Sequence, residues 1–318
     1  MNTSTLRLRF FNDLSDNKYL YYLTKTNYFK ESLSIHTTGQ QPNYGYFHYS
    51  KIPIPLPPIC EQKRIVEILD EAFAAIDKAK ANVEKNLQNT KELFESYLQN
   101  VFTDKGEDWE EKPLKDVFEI KPPKSEVRNK ANDNDFVSFL PMEDLQVLAF
   151  NISAKQERKL KDVISGYTYF ANNDVLLAKI TPCFENGKIG IAKNLTNGIG
   201  FGSSEYIVFR STEIVKPEYL YYFLSRASFR NEGSKRMSGA VGHKRVIKEF
   251  IEEYLIPFPK NKKHQMAIVN SLNLFSLEIK KLEDNYQKKQ NDLEELKKSI
   301  LQKAFTGELT ASTKTLIA

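Results

Sequence analysis

The feature that most constrains this chain is a segment that occurs twice, about two hundred residues apart. Each copy begins with a proline-containing strip, IPLP at 54–57 and IPFP at 256–259, and continues as a long segment without Pro or Gly. Two further matches are KYLYYL at 18–23 with EYLYYF at 218–223, and ELFESYLQNVFT at 92–103 with ELKKSILQKAFT at 295–306. The chain is therefore predicted to build the same strip-and-helix arrangement twice, with small differences in loop length.

Both long segments carry the apolar spacing of a coiled coil, in which the residues step alternately by four and three. About forty helical residues make a helix of roughly 60 Å, and its apolar stripe must be covered by another helix. We expect the two copies to pair with each other, although the heptads also allow pairing between two chains. The predicted coiled-coil seam consists of Ile65, Leu69, Ile76, Val83 and Leu93 in the first copy, and of Ile268, Leu272, Ile279, Tyr286, Leu293, Leu296 and Ile300 in the second.

The sequence between the two long segments changes to short elements of mixed type. DVFEI, DFVSFL, DVLLAKI, GKIGIA and SSEYIVFR predict strands, because β-branched and aromatic residues are bounded by Gly, Asn, Asp and Pro. The segment 216–233 predicts one helix that begins after Pro217 and stops at Gly233. The alternating glycines of NGIGFGSSEY at 197–206 lead into a strand rather than a helix, which favours close backbone approach over phosphate binding. The predicted fold class is α+β, with two long helices added to the globular part.

The sequence carries none of the common catalytic motifs. It has no P-loop, no H-E-x-x-H and no G-x-S-x-G. Cys60 and Cys183 form no C-x-x-C pair, and the four histidines offer no zinc spacing, so we expect reduced thiols and no metal site. The N-terminus lacks a signal-peptide pattern and eighteen apolar residues never run together. These observations predict a cytoplasmic protein that is not an enzyme and that has no membrane span.

Two stretches between the long segments are candidates for contacts with nucleic acid: the turn within 176–194 and the loop between Glu232 and Glu249. The net charge of +5 permits such contacts without requiring them. No acidic residue occurs between Glu232 and Glu249, so this loop can neutralise phosphates and its arginines can read guanine edges. A solvated surface loop and an ordinary hairpin are the alternative interpretations of the two stretches. The candidate DNA-binding residues are Lys179, Thr181, Asn186, Lys188, Ser203, Ser204, Lys235, Arg236, His243, Lys244 and Arg245.

Several motifs, taken in order, resemble the DNA-specificity (S) subunits of type I restriction–modification systems. IPIPLPPICEQKRIVEILD and IPFPKNKKHQMAIVNSL resemble the start of a spacer helix, and SILQKAFTGELT at 299–310 resembles its end. DWEEKPLKDVFEIK at 108–121 resembles the opening of a target-recognition domain, and AKITPCFENGKIGIA and GFGSSEYIVFR resemble its middle. The resemblance covers most of 52–310. It implies target-recognition domains held apart by an antiparallel pair of spacer helices, which form a coiled coil.

The resemblance also implies a division of labour with other proteins. It makes this chain a non-catalytic subunit that binds double-stranded DNA sequence-specifically and directs adenine methylation and restriction by partner subunits. The expected partners are modification (methyltransferase) subunits and, through them, restriction subunits. S-adenosylmethionine, ATP and Mg are expected on those partners, and no cofactor is expected on this chain.

The resemblance divides the chain into four predicted parts. These are 1–58 as the C-terminal remnant of a first target-recognition domain, 59–108 as the first spacer helix, 109–260 as a second, intact target-recognition domain, and 261–318 as the second spacer helix and C-terminal tail. Because TSTLRLRF at 3–10 aligns with SSEYIVFR at 203–210, the first domain is predicted to begin on a late strand. We expect 1–58 not to form a complete core on its own. A truncated or half-sized S subunit that acts as a homodimer, and a coiled-coil interaction protein without DNA-reading activity, remain open alternatives.

Overall fold

The computed structural model describes residues 14–35, 46–240 and 242–311, and the chain divides into two compact units. Unit 1 comprises Met1–Thr90 with Lys281–Ala318, and unit 2 comprises Lys91–Lys280. The segment 3–10, which was predicted to align with a late strand, lies outside the described residues. The helices are α1 (Asn17–Leu23), α2 (Asn27–Ser34), α3 (Tyr46–Tyr49), α4 (Ile59–Thr103), α5 (Leu114–Val117), α6 (Ser125–Arg128), α7 (Leu160–Val163), α8 (Pro217–Ser225), α9 (Ala227–Lys235), α10 (Lys248–Glu253), α11 (Lys262–Thr306) and α12 (Glu308–Ala311).

The strands of the described residues all lie in unit 2, so the predicted mixture of helices and strands is confirmed. They are β1 (Trp109–Pro113), β2 (Phe118–Ile120), β3 (Phe136–Leu140), β4 (Asn151–Ile152), β5 (Gln156–Lys159), β6 (Thr168–Ala171), β7 (Val175–Ala178), β8 (Ile189–Ala192), β9 (Ile199–Gly202), β10 (Tyr206–Ser211), β11 (Met237–Ser238), β12 (Arg245–Val246) and β13 (Leu255–Pro259). A short 3-10 turn spans Thr196–Gly198.

The two long helices follow the prediction from the repeat, and each contains 45 residues. Helix α11 ends where Gly307 adopts a φ of 83°, a left-handed conformation that glycine accepts at a helix C-terminus. Helix α4 begins directly after Pro58, whose carbonyl accepts hydrogen bonds from the backbone N–H groups of Glu61 and Gln62. The uninterrupted stretch without Pro or Gly explains why neither helix breaks earlier.

Within unit 1 the two long helices run antiparallel in the same chain. Their surface contacts run in opposite sequence directions: Asp77 accepts from the Lys297 ammonium at 2.7 Å, and Lys80 pairs with Glu294. The buried seam of α4 in this unit contains the predicted residues Ile65, Leu69, Ile76 and Val83. Apolar packing therefore holds this pair, because ion pairs on an exposed rim are screened by water and contribute little.

Two residues that were predicted to lie in the buried seam are exposed in the structure. Leu93 is 54% exposed, because the buried face of α4 in unit 2 steps by four residues through Phe94, Leu98 and Phe102. Two successive steps of four depart from the alternating four and three of a heptad, so this part of α4 packs on the core of unit 2 and does not continue the seam. Leu296 is also exposed, and the ammonium of the next residue, Lys297, lies over the Phe73 ring, 4.8 Å from the centroid.

The remaining seam predictions fall on the covered face of the helices. Leu272 and Ile279 are buried in unit 2, where the Phe275 ring between them stacks on Phe94 at 6.1 Å and lies 4.6 Å from Tyr97. The half-buried predicted residues are Ile268, Tyr286, Leu293 and Ile300.

The residues that precede α4 share their core with the long helices of unit 1. Tyr19 and Tyr22 of α1 form a cluster with Ile65, Leu69 and Leu301. A second cluster joins α1 to α2 and to the strip that precedes α4; it contains Leu20, Leu23, Phe29, Leu33 and Ile52. Tyr19 and Tyr22 are therefore covered by α4 and α11, whereas the second cluster is formed by 14–58 itself with Phe305 of α11 packed against it.

Unit 2 contains two mixed sheets, in the orders β2-β10-β7-β8-β4 and β5-β3-β9-β6, with two small ladders, β1-β13 and β11-β12. The strands predicted from DFVSFL, DVLLAKI, GKIGIA and SSEYIVFR are confirmed as β3, β7, β8 and β10. The glycines of β9 make the predicted close approach: a Cβ on Gly200 would lie 2.2 Å from the Phe170 ring, and one on Gly202 would lie 2.3 Å from the Leu140 carbonyl oxygen.

Three local predictions for unit 2 need correction. DVFEI is not one strand, because the turn α5 occupies its first part and β2 begins at Phe118. The segment 216–233 forms two helices instead of one, since Arg226 has an extended ψ of 139° between α8 and α9. Its buried guanidinium lies over the Phe223 ring at 3.9 Å and donates to the Phe223 carbonyl, which fixes the break. The segment predicted as a basic loop is a hairpin, because its two ends pair as the strands β11 and β12.

A buried glutamine ties the proline strip of unit 1 to the turn before α1. The Gln62 amide donates to the carbonyls of Leu14 and Pro57 at 3.0 and 2.7 Å. Its oxygen accepts from the backbone N–H of Asp16 and the hydroxyl of Ser15. The side chain thus satisfies several backbone groups at the start of α4, and we call this arrangement a glutamine bridge.

Unit 2 contains the same bridge, except that Val215 stands at the counterpart of Ser15 and offers no hydroxyl. The Gln265 amide donates to the carbonyls of Ile214 and Pro259 at 3.0 and 2.8 Å and accepts from the Lys216 N–H. Tyr219 donates to the Pro257 carbonyl at 2.8 Å, as Tyr19 donates to Pro55 at 3.0 Å in unit 1. The tandem repeat is therefore a repeat of hydrogen bonds as well as of sequence.

Candidate nucleic-acid interface

The structure brings the separately predicted candidate residues into one place in unit 2. The backbone N–H of Lys179 donates to the Glu205 carbonyl, and the Lys179 carbonyl accepts from Val246, each at 2.9 Å. The Thr181 N–H donates to the Lys244 carbonyl at 2.9 Å. These bonds join 179–188, 203–205 and 235–246, which we call the three-segment cluster.

The first segment of the cluster connects β7 to β8. The Lys179 ammonium donates to the Ser204 carbonyl at 3.0 Å, and the Lys188 ammonium donates to the Met142 carbonyl at 2.7 Å. The Thr181 hydroxyl donates to Glu185 at 2.8 Å, whereas Asn186 is exposed. The two lysines therefore brace neighbouring loops, and Asn186 is the amide of this segment that faces solvent.

The second segment is a turn between β9 and β10. The Ser203 hydroxyl accepts from the backbone N–H of Glu205 at 3.2 Å, and its carbonyl accepts from Tyr206. Ser204 is exposed at the tip of this turn. Tyr206 then anchors the turn, because its hydroxyl donates to the Pro141 carbonyl at 2.9 Å.

The third segment is the hairpin β11–β12, whose tip lacks acidic residues. Gly239 and Gly242 have φ values of 125° and 83°, which the tip requires and which glycine adopts without strain. His243 and Lys244 are exposed beside the tip, and Lys235 is exposed where α9 ends. Within the described part of the chain, the side chains of these three residues make no ion pair.

The two arginines of the cluster are held by carboxylates. Arg245 donates to both oxygens of Glu205, at 2.7 and 2.9 Å, and this hydrogen bonding holds the pKa of Glu205 below its usual range. Arg236 pairs with Glu232 at 2.8 Å and lies over the Phe250 ring. The Arg245 guanidinium is consequently held in one orientation, while Lys235 and Lys244 are exposed cations.

Neither a metal site nor a membrane span is found in the part of the chain that the structure describes. No cluster of three or more His, Cys, Asp or Glu side chains in 14–35, 46–240 and 242–311 could hold an ion. None of the described helices is long and apolar enough to cross a bilayer. Cys60 is exposed and Cys183 is half-buried, and both thiols are free.

The chain matches the family described as "Type I restriction modification DNA specificity domain" over residues 1–87 and 106–295. It belongs to this specificity-domain family. The EcoAI specificity subunit of Escherichia coli is 38% identical over 170 residues, which cover 53% of this chain and 28% of that protein. The EcoKI specificity subunit of Escherichia coli strain K12 is 26% identical over 317 residues, which cover 92% of this chain and 66% of that protein. The chain thus spans less than two thirds of these relatives.

Solved structures support the specificity-domain fold over most of the chain. A chain from a study of complex assembly and conformational transition of the type I R-M system has a TM-score of 0.74 at 19% identity, covering 93% of this chain and 73% of that one. The HsdS subunit from Thermoanaerobacter tengcongensis has a TM-score of 0.58 at 20% identity, covering 93% and 72%. At these identities the likeness concerns the fold alone.

Sequence reasoning on this specificity domain missed the acidic member of the cluster. Glu205 follows two candidate serines, yet it was not predicted, because only basic and small polar side chains indicate contact with DNA. Its pairing with Arg245 joins residues 40 positions apart, which no local pattern reports. The signal available was weak: a single carboxylate at the start of a predicted strand.

Proposed function

We propose that this chain is a sequence-specific DNA-binding subunit of a type I restriction–modification complex. The observation that carries the proposal is the three-segment cluster, in which backbone hydrogen bonds join three segments that carry cationic and polar side chains in a specificity domain. Exposed Lys235, His243 and Lys244 are suited to phosphates, which position a protein on a duplex. Arg245 and Asn186 have the side-chain types that bind guanine and adenine edges in the major groove.

Arg245 is the residue to which we assign base reading. Its guanidinium is already oriented by two hydrogen bonds to Glu205, so less conformational entropy is lost when it binds a base edge. The free lysines have no such orientation and suit phosphate contacts, which need charge more than geometry. In this proposal Arg245 contacts a base edge, and the exposed lysines contact phosphates.

The chemistry is assigned to other proteins of the complex. We infer that modification subunits bring S-adenosylmethionine and methylate adenine, and that restriction subunits joined through them bring ATP and Mg. The chain itself is non-catalytic in this proposal and acts in the cytoplasm. Family membership and the relatives' names as specificity subunits support this division.

The test begins with methylome sequencing of cells that express this chain with its modification subunit, which identifies the motif. Duplexes with and without that motif are then titrated with the complex at several salt concentrations. Lys244→Ala should weaken binding to both duplexes and reduce the salt slope by about 0.9, because one phosphate contact is lost. Arg245→Ala should cost about 1 to 3 kcal/mol on the motif duplex and relax discrimination at one base pair.

Lys280→Ala serves as the matched control, since Lys280 is an exposed lysine on α11 outside the cluster. It should leave both affinity and salt slope unchanged. The proposal fails if no methylated motif depends on this chain, or if Lys280→Ala weakens binding as much as Lys244→Ala.

A further inference from the structure

Each unit contains a short helix beside the C-terminal part of a long helix, and in unit 2 direct contacts join the two. The backbone N–H of Ala227, at the start of α9, donates to the Glu95 carboxylate of α4 at 3.1 Å. The Arg230 guanidinium of α9 lies 3.6 Å from the same carboxylate, and the Ser228 hydroxyl donates to Gln99 at 2.6 Å. A carboxylate on the long helix therefore holds this helix pair closed.

The Arg226 side chain occupies the space between α9 and α4 in unit 2, where it is 6% exposed. Its guanidinium lies 5.2 Å from the centroid of the Phe102 ring of α4 and 3.9 Å from that of the Phe223 ring of α8. Its Nε group donates to the Phe223 carbonyl at 2.8 Å. A flat group thus fills this space and lies against aromatic rings.

Unit 1 has different residues at both of these positions. The repeat aligns Thr26 with Arg226, and Lys298 of α11 with Glu95. The Thr26 hydroxyl donates to the Leu23 carbonyl at 2.7 Å, as Arg226 does to Phe223, but the threonine side chain is too short to fill the same space. A cavity of about 1000 Å³ lies there, and it is lined by counterparts of the unit 2 contact residues, which are Thr26, Asn27, Lys30, Lys298, Gln302 and Phe305.

The replacement of a glutamate by a lysine makes the cavity cationic. Lys25, Lys30 and Lys298 line it, against two carboxylates, Glu31 and Glu295. Lys30 and Lys298 are exposed, and within the described part of the chain their ammonium groups form no ion pair. They stand at the positions of Arg230 and Glu95, so a cation has taken the place of the carboxylate that closes unit 2. An anion bound between the two lysines would replace the attraction that this exchange removes.

The remaining walls of the cavity are apolar. Pro53 and Ile54 line one side, and Leu23, Leu301 and Phe305 line the others. A concave site of this size, mostly apolar with a few charged groups, is typical of small-molecule binding. The Phe305 ring stands at the counterpart of Phe102, over which the flat guanidinium of Arg226 lies in unit 2. A flat body therefore fits against this ring.

We propose that the unit 1 cavity binds a small molecule with a flat apolar body and one anionic group, either a carboxylate or a phosphate. The anionic group lies between Lys30 and Lys298, and the body occupies the space that Arg226 fills in unit 2, against Phe305. The proposal does not rest on DNA binding, which was assigned to side chains of unit 2.

The test titrates the full chain by isothermal titration calorimetry with two matched pairs of probes. AMP and adenosine share a flat body and differ in the phosphate, and naphthoate and naphthol differ in the carboxylate. At least one anionic probe should bind saturably and at least about tenfold more tightly than its neutral counterpart, and the pair concerned identifies the anion. Saturable binding of neither anion overturns the proposal, as does equal binding of anionic and neutral probes.

Variants of the chain locate the site. Lys298→Glu restores the charge of unit 2 and should weaken anion binding at least about tenfold, whereas Lys298→Arg should retain it. Thr26→Arg places the longer side chain of unit 2 in the cavity and should also block binding. Lys288→Glu makes the same charge change at an exposed lysine elsewhere on α11 and should bind normally.

Two outcomes would place the anion elsewhere. Equal weakening by Lys288→Glu and Lys298→Glu would show that only net charge matters, which overturns the proposal. Displacement of the probe by duplex DNA would show that the lysines contact a phosphate backbone instead, which also overturns it. Circular dichroism of every variant shows that the fold is retained, and binding by the conservative Lys298→Arg chain checks that any loss reflects charge.

Discussion

The glutamine bridges show how much a single side chain contributes at the junction of strip and helix. Gln62 and Gln265 are both fully buried, and each carboxamide donates to two carbonyls and accepts from a backbone N–H. A carboxamide is suited to this task because it offers donors and an acceptor without charge. Without it, backbone groups of the strip and of the preceding turn would be buried without partners.

Replacement of the unit 2 glutamine tests the bridge. Gln265→Leu keeps the volume but leaves the carbonyls of Ile214 and Pro259 unpaired, so we expect a loss of about 3 kcal/mol in the free energy of unfolding. Urea denaturation followed by the fluorescence of Trp109, the single tryptophan of the chain, measures it within unit 2. Gln287→Leu, an exposed glutamine on α11, should stay within about 0.5 kcal/mol. An equal effect of the two substitutions would refute a structural role for the bridge.

Gln62 and Gln265 stand at matching positions of the repeat, but the sequence match alone assigns them no role. Their role could not be predicted, because the hydrogen-bond partners lie in turns such as Leu14–Asp16, which have no recognisable pattern. Basic candidates were easier to select, since charge is visible in a sequence. Their partners were not visible, and this is why the pairing of Glu205 with Arg245 was missed.

Among the elements, the hairpin β11–β12 has the most direct bearing on function. It was expected as a loop, yet Met237 pairs with Val246 and Ser238 with Arg245. This short ladder places Arg245 next to Glu205 and ties the hairpin to the β7–β8 connection through Thr181. Strands of two residues have almost no sequence signal, so tertiary contacts decide whether they form.

Removing the carboxylate that holds Arg245 should separate affinity from specificity. In Glu205→Gln, the guanidinium loses its charged partner and is free to bind phosphate, so affinity for any duplex should rise and the salt slope should steepen by about 0.9. Discrimination at the base pair assigned to Arg245 should fall, because the fork is no longer oriented. Titration of motif and non-motif duplexes measures both effects. Glu110→Gln, whose carboxylate pairs with Lys112 and Lys260, is the control, and unchanged discrimination by Glu205→Gln would contradict the assignment.

The helices illustrate which elements a sequence reveals. Periodicity predicted α4 and α11 correctly, because each stripe extends over many turns. It failed where packing changes the stripe, as at Leu93, and where a buried side chain interrupts a helix, as at Arg226. Neither event alters local propensity, so neither could be found without the tertiary structure.

At the scale of the whole chain, each unit has a core of its own. The cluster around Tyr19 and Leu69 belongs to unit 1, and the large cluster around Phe102 and Leu272 belongs to unit 2. The repeat indicated such duplication in advance. Strand order could not be predicted, because parallel pairs such as β3 with β9 join segments about sixty residues apart and depend on long-range contacts.

The repeat offers a matched pair of core substitutions. Leu69 and Leu272 are counterparts, and both are fully buried. Each leucine-to-alanine change should destabilise its own unit by about 2 to 5 kcal/mol. Hydrogen exchange measured by mass spectrometry should show lost protection in α1 and α2 for Leu69→Ala, and in β7 and β10 for Leu272→Ala. Loss of protection in both units from either substitution would show that the chain unfolds as one cooperative body.

The glycines of β9 constrain how the neighbouring three-segment cluster can evolve. Gly200 and Gly202 lie against Phe170 and the Leu140 carbonyl with no space for a side chain, directly before the turn at Ser203. Natural selection for a new target sequence would therefore remove nearly every variant at these two positions. Heritable variation would accumulate instead in the exposed turns beyond them, so that one invariant support could serve many specificities.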